Sequence, residues 1–253
     1  MKTHQLTVYR GPCAILNHLN LDIPAGKWTS IIGPNGAGKS SLLQGLARLL
    51  KYTGSITLDD HELTTLSQRD FAKKVAWLEQ SSTAQGDFES SLNAYDTVML
   101  GRLPHQSWLH LPSPSDHQSV ERVMHQTHTW ALRQRSIAEL SGGERQRVLL
   151  ARLLAVDAEV LLMDEPLANL DPPHQSDFLA WQRQLLANNK TLVTVLHEIH
   201  IALRADHLIM LADGKLHFQG SSCDPQTHQA LIALFDGRIR LERAGNDWVA
   251  LPC

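Results

Sequence analysis

The sequence predicts an α/β fold, with a largely parallel sheet at its centre, an antiparallel β subdomain at the N-terminus and a helical subdomain inserted in the middle. Three observations carry this. The runs Val75 to Leu78, Val160 to Met163 and Leu192 to Leu196 are compact and apolar, and each leads into a polar residue: Gln80, Asp164-Glu165 and His197. Strands covered on both faces read this way, and ligands of such sheets sit at the strands' carboxyl ends. Second, Trp28 to Ile32, the Gly-rich Gly33-Pro34-Asn35-Gly36-Ala37-Gly38-Lys39-Ser40, and the apolar-periodic Leu42 to Leu50 read as strand, loop and helix. Third, residues 81–156 change texture, with Pro104, Pro112 and Pro114 interrupting a polar stretch between helical patterns.

Taken in order, Gln5 to Tyr9 and Ile15 to Ile23 alternate apolar and polar residues, as half-buried antiparallel strands do, and Gly54 to Asp60 is a further short strand entering a turn. The loop that follows Ile32 is a cradle for a nucleoside triphosphate. Its glycines let backbone N–H groups point at phosphate oxygens, and the helix behind adds its positive end. Lys39 reaches the outer phosphates, and the Ser40 hydroxyl suits Mg²⁺. In the middle region His105, His110, His117, His125 and His128 lack a Cys or carboxylate constellation to complete a metal site, so a solvated polar face is the favoured reading. Asp213-Gly214 between apolar runs predicts a hairpin, Pro225 to Phe235 a last helix, and Arg238 to Leu251 a closing hairpin around Gly245-Asn246.

Bulk properties exclude several classes. The 253 residues are 43% hydrophobic, enough for a large core. A net charge of −3 leaves no excess of basic residues to advertise a nucleic-acid surface, which weakens DNA-repair readings. Cys13, Cys223 and Cys253 are too scattered for a disulfide framework or a zinc site. The opening Met-Lys-Thr-His-Gln lacks a signal peptide's apolar core, and no run of 18 apolar residues occurs. The expectation is a cytoplasmic protein whose membrane role, if any, comes through a partner. His197-Glu198-Ile199-His200 does not make a zinc-protease helix, because its histidines are three apart rather than four.

Leu140-Ser141-Gly142-Gly143-Glu144-Arg145-Gln146-Arg147 opens a helix with Ser141 and Glu144 in capping-box spacing. Alone it is an ordinary helix start. Together with the cradle and with Glu159-Val160-Leu161-Leu162-Met163-Asp164-Glu165, it resembles the signature of ATP-binding cassette (ABC) ATPases. The resemblance covers nearly the whole chain. Gly33 to Ser40 matches the Walker A loop, Gln80 the Q-loop, and Ser141 to Gln146 the signature. Asp164 matches the Walker B carboxylate, Glu165 the catalytic glutamate, Ala168 to Asp171 the D-loop and His197 the switch histidine. Tyr9 sits where the family places an aromatic against adenine, although a Tyr at an alternating position is equally plain strand packing. The chain departs from the family in having Ser41 where Thr is usual, Glu79 where Pro is frequent and Glu198 where Asp is common.

The resemblance implies a P-loop NTPase (RecA-like) core in one ABC ATPase domain over 1–253. Residues 1–80 and 157–253 would form the core with its β subdomain, and 81–156 the helical signature subdomain. It implies ATP and Mg²⁺ as cofactors. Tyr9, Gly33, Pro34, Asn35, Gly36, Ala37, Gly38, Lys39, Ser40, Ser41, Gln80, Ser141, Gly142, Gly143, Asp164 and Asp171 would bind nucleotide, and Ser40, Gln80 and Asp164 would hold the metal. Glu165 and His197 would be catalytic. It implies a second copy, most simply a homodimer with the signature of one cassette closing on the nucleotide of the other, on the cytoplasmic side of the inner membrane. A multi-helix permease would be the direct partner and a substrate-binding protein an indirect one.

Ala94 to His105 is similar to the segment after the Q-loop in iron-chelate (siderophore or haem) and vitamin B12 uptake ATPases, which read Val, two residues, Gly-Arg, one residue, Pro. The stretch from Gln80 to His105, with Arg102 in it, is then expected to wall a groove for a permease helix. Other importers' ATPase subunits, and soluble cassette ATPases of repair or translation, are the alternatives. The long coiled coil of the repair group and the tandem cassette of the translation group are both missing.

Overall fold

The computed structural model describes residues 1–80, 92–106, 111–245 and 247–253, which form two compact units. The 81–91 part of the expected groove wall, His110 and Asn246 lie outside the described residues.

The first unit comprises Met1–Leu66, Leu162–Asp164 and Leu185–Cys253. Strands β1 (Lys2–Arg10), β2 (Cys13–Asp22), β4 (Tyr52–Leu58) and β5 (His61–Glu62) form an antiparallel sheet in the order β2-β1-β4-β5. Alternation fixes its register: Leu6, Val8, Leu16, Leu19 and Ile56 face inward and are buried, as Leu6↔Leu19 and Val8↔Leu16 pair across β1 and β2. Where the register slips, the Thr3 hydroxyl bridges the strands, donating to Leu19 O and accepting from Leu21 N, both at 3.0 Å.

β3 (Trp28–Ile32), β8 (Thr191–Val195) and β9 (His207–Ala212) are parallel, with Ile31 opposite Val195 on one side and Ile209 on the other. Every residue of β3 and β8 is buried, as their sequences require. β10 (Lys215–Ser221) returns antiparallel to β9 through Asp213 and Gly214, whose φ values of 49° and 71° suit a tight hairpin. The strand order runs β10-β9-β3-β8 and on to β7 (Val160–Asp164), while β6 (Val75–Leu78) belongs to the second unit. Helices α1 (Lys39–Leu46), α7 (Ile199–Ala202) and α8 (Pro225–Leu234), with the hairpin of β11 (Ile239–Ala244) and β12 (Asp247–Pro252), complete this unit.

The second unit comprises Ser67–Leu161 and Glu165–Gln184, wider than the 81–156 expected from sequence. It takes in α2 (Gln68–Lys74), β6 and the segment after Asp164, because these pack within it. Helices α3 (Ala94–Met99), α4 (Pro114–Gln126) and α5 (Gly142–Ala155) surround a core of Ala94, Val98, Val120, Val123, Met124, Ile137, Leu140, Val148, Ala151 and Ala155. Each start is capped: Asn93 accepts from Asp96 N, Ser113 from Asp116 N with Pro114 in the first turn, and Ser141 from Glu144 N. α6 (Pro172–Ala187) follows.

The Gly101-Arg102 pair has a structural reason. A Cβ on Gly101 would stand 2.3 Å from Arg152 O, so only glycine lets this turn approach α5. Arg102 then points inward, its Nε donating to Asp116 Oδ1 at 2.9 Å and Nη1 to Ala155 O at 2.8 Å. This corrects the expectation that Arg102 lines a docking groove: its guanidinium is satisfied inside the unit. The histidines hold local contacts: His105 Nε2 lies 2.7 Å from Val156 O, His117 stacks on Tyr95 and His125 on Trp130.

Candidate nucleotide site

In the first unit, the chain leaves β3 at Gly33 and enters α1 at Lys39. A Cβ on Gly33 would lie 2.2 Å from Leu211 O, so the loop can start here only without a side chain. Pro34 O accepts from Ala37 N at 3.2 Å, and Ala37 is buried beneath the turn. Gly38 sits at the N-cap of α1 with φ 94°, a left-handed backbone in which a Cβ would also strike Leu16 Cδ2 at 2.5 Å. Pro34, Asn35 and Gly36 are exposed at the crown, and a Cβ on Gly36 would meet nothing within 4 Å.

α1 has no side-chain cap and no acidic residue in its first turn. No carboxylate in the chain's own first turn competes there for its N-terminal amides. Lys39, 7% exposed, curls back so that Nζ donates to Gly33 O at 2.8 Å and Pro34 O at 3.0 Å, placing an ammonium on the loop. Ser40 is half-buried and Ser41 buried. The loop and uncapped helix start together form an anion cradle.

Because β3 and β8 are parallel neighbours, the Gly33 loop and His197, two residues past the end of β8, leave the sheet at the same edge. His197 is exposed. Asp164 ends β7, the other neighbour of β8, and is 2% exposed. Tyr9 is half-buried in β1, its backbone N–H donating to Lys51 O at 2.9 Å. The Ser40 hydroxyl and the Asp164 carboxylate are hard oxygen donors, the type Mg²⁺ takes.

The second unit carries Gln80, Ser141, Gly142, Gly143, Glu165 and Asp171. Gln80 is exposed just past β6. The Ser141-Glu144 capping box read from the sequence is formed: Ser141 N donates to Glu144 Oε2 at 2.8 Å, and Glu144 N to Ser141 Oγ at 3.3 Å. The Ser141 hydrogen bonds, with Arg135 and Arg147 nearby, hold the Glu144 carboxyl below its usual pKa. Asp171 is exposed and caps α6, its Oδ1 accepting from His174 N at 3.3 Å. A Cβ on Gly142 would lie 3.4 Å from Asn169 Cβ, and one on Gly143 2.9 Å from Asn169 O. Gly142 and Gly143 thus leave room for the turn at Asn169 of the same unit. Glu165 is half-buried with φ 49°.

Site reading by sequence passes over Gln146. It is fully buried on α5, and Nε2 donates to Pro166 O at 3.1 Å. The signal was present, since Gln146, Leu149, Leu150 and Leu153 share one helical face, and a lone amide on an apolar stripe needs a partner.

Similar proteins identify the family. The family described as ABC transporter matches residues 16–168. The petrobactin import ATP-binding protein of Bacillus anthracis is 37% identical over 223 residues, 87% of this chain and 80% of that protein. The ferric enterobactin transport ATP-binding protein of Escherichia coli K12 is 36% identical over 244 residues, 95% of this chain and 89% of that protein. Among solved structures, the dimeric MJ0796, a bacterial ABC transporter cassette, superposes with a TM-score of 0.77 at 25% identity, over 88% of this chain and 99% of that one. With this match and these relatives, the chain belongs to the ABC transporter family as one of its ATPase cassettes.

Proposed function

We propose that this chain drives import of an iron chelate of the siderophore class, as a pair of copies bound to a membrane permease on its cytoplasmic face. The observation that carries the ATPase reading is the loop Gly33 to Ser41, with Lys39 folded onto it at an uncapped helix start. The import reading is supported by relatives that serve petrobactin and ferric enterobactin. Among the described residues no helix is long and apolar enough to cross a membrane. A periplasmic or lipoprotein binding protein would present the cargo to that permease.

The residues divide the work as phosphoryl transfer to water requires, by positioning and charge neutralisation. Lys39 and the amides of Gly36 to Ser41 bind the β- and γ-phosphates, and Tyr9 stacks on adenine. Ser40, Gln80 and Asp164 would hold Mg²⁺, which supplies further neutralisation of phosphate charge. Glu165 orients the attacking water and accepts its proton. His197 contacts the γ-phosphate. Ser141 to Gly143 of one copy face the nucleotide of the other, and Asp171 belongs to the same interface.

The test is Glu165→Gln. The amide keeps the shape and cannot accept a proton, so ATP should bind normally, hydrolysis should fall by about a hundredfold or more, and light scattering should show an ATP-dependent dimer. Turnover at the wild-type rate would overturn the role of Glu165. Uptake of labelled ferric siderophore, restored by this chain in a strain lacking it, tests the cargo. Restored cobalamin uptake alone would move the assignment to vitamin B12.

A further inference from the structure

Gln146 is the most buried polar side chain of α5. Its Nε2–H donates to the carbonyl of Pro166, the residue immediately after Glu165. Gln146 and Glu165 to Asp171 belong to the same compact unit.

The backbone at Glu165 needs such a contact. Its φ of 49° is left-handed, a region that costs any residue with a Cβ. The residue before a proline is in addition pushed towards extended backbone. A conformation disfavoured twice persists only where its surroundings hold it. Glu165 O accepts from Ala168 N at 3.1 Å, which closes one turn. Pro166 has no N–H, so its carbonyl is the only backbone polar group by which it can be tied, and that group is given to Gln146. Three residues on, the Asn169 carbonyl rests against Gly143, and Asn169 is itself left-handed at φ 62°.

We propose that Gln146 is a positioning residue for Glu165: by fixing the Pro166 carbonyl, it sets the direction in which the carboxylate leaves the chain. The signature helix then has a second task. Besides facing the nucleotide of the other copy, it supports the general base of its own copy. This rests on the reading of Glu165 as that base.

The test is Gln146→Met, which keeps the length and removes the donor. ATP affinity, steady-state turnover and thermal unfolding would be measured on the full chain, with and without Glu165→Gln. Where the variant is folded, turnover should fall about tenfold with ATP affinity within about twofold of wild type. In the Glu165→Gln background, the same change should alter the residual rate by less than about twofold, because the group it positions no longer acts. Gln146→Asn, which keeps an amide on a shorter stem, should lose less turnover than Gln146→Met, and it decides the matter if Gln146→Met does not fold: reduced turnover at unchanged affinity supports the role. A folded variant with wild-type turnover would overturn the proposal, and so would an equal loss in both backgrounds, which marks Gln146 as a packing residue. Wild-type turnover by Glu165→Gln alone would instead show that the assignment of the base had failed.

Discussion

Arg102 Nε lies 2.9 Å from Asp116 Oδ1, and both side chains are nearly buried, at 11% and 6% exposure. The pair ties the turn over Leu100–His105 to the first turn of α4, while Arg102 Nη1 reaches Ala155 O at the end of α5. Three segments of the helical unit are joined by one guanidinium. A surface salt bridge would be worth under about 1 kcal/mol, but a buried one leaves an uncompensated charge when either partner is removed.

Arg102→Glu should therefore unfold the helical unit rather than act on a partner. It sets two carboxylates against each other and leaves Ala155 O without its donor, and the expected loss is roughly 3–5 kcal/mol. Arg102→Lys should lose less, since it keeps the charge and gives up the forked geometry that serves both acceptors. Urea unfolding followed by circular dichroism would show a lower midpoint for both variants. An unchanged midpoint for Arg102→Glu would mean that the pair contributes little.

Acid should attack the same place. Burial by itself raises the Asp116 pKa, but hydrogen bonds from Ser113 and the Arg102 guanidinium outweigh it and bring it from 3.8 to about 2. A depressed carboxyl contributes stability that is complete above its unfolded pKa and is lost as pH falls through the folded value. The window is thus about pH 4 down to about pH 2, with roughly 2–3 kcal/mol at stake. Asp116→Asn should be less stable than wild type at pH 7, and the difference should shrink across that window in denaturant titrations. A difference independent of pH would rule out the ionised carboxylate as its source.

Lys39→Ala should remove a buried cation from the loop and two donors from Gly33 O and Pro34 O. Charge-assisted hydrogen bonds are worth about 1.5–3 kcal/mol each, so ATP affinity should fall by at least about tenfold. Calorimetric titration with ATP measures this. Unchanged affinity would count against the cradle.

Features that depend on near neighbours were legible in the sequence. The hairpin at Asp213-Gly214, the Ser141-Glu144 capping box and the strand-loop-helix around Gly33 to Lys39 each need only a few consecutive residues in a conformation their side chains favour. The apolar runs likewise announced β6, β7 and β8, because strands covered on both faces are built mostly of apolar residues. The tertiary structure alone decided what Gly101, Arg102 and Gln146 touch. Arg152 lies 51 residues from Gly101 along the chain, Asp116 lies 14 from Arg102, and Pro166 lies 20 from Gln146. Local propensity says nothing about such distances, since an arginine after a glycine suits a solvent-facing turn as well as a buried strut. Only the folded chain, in which a buried charge or amide left unpaired is costly, determines that Arg102 turns inward to Asp116 and Gln146 to the carbonyl after Glu165.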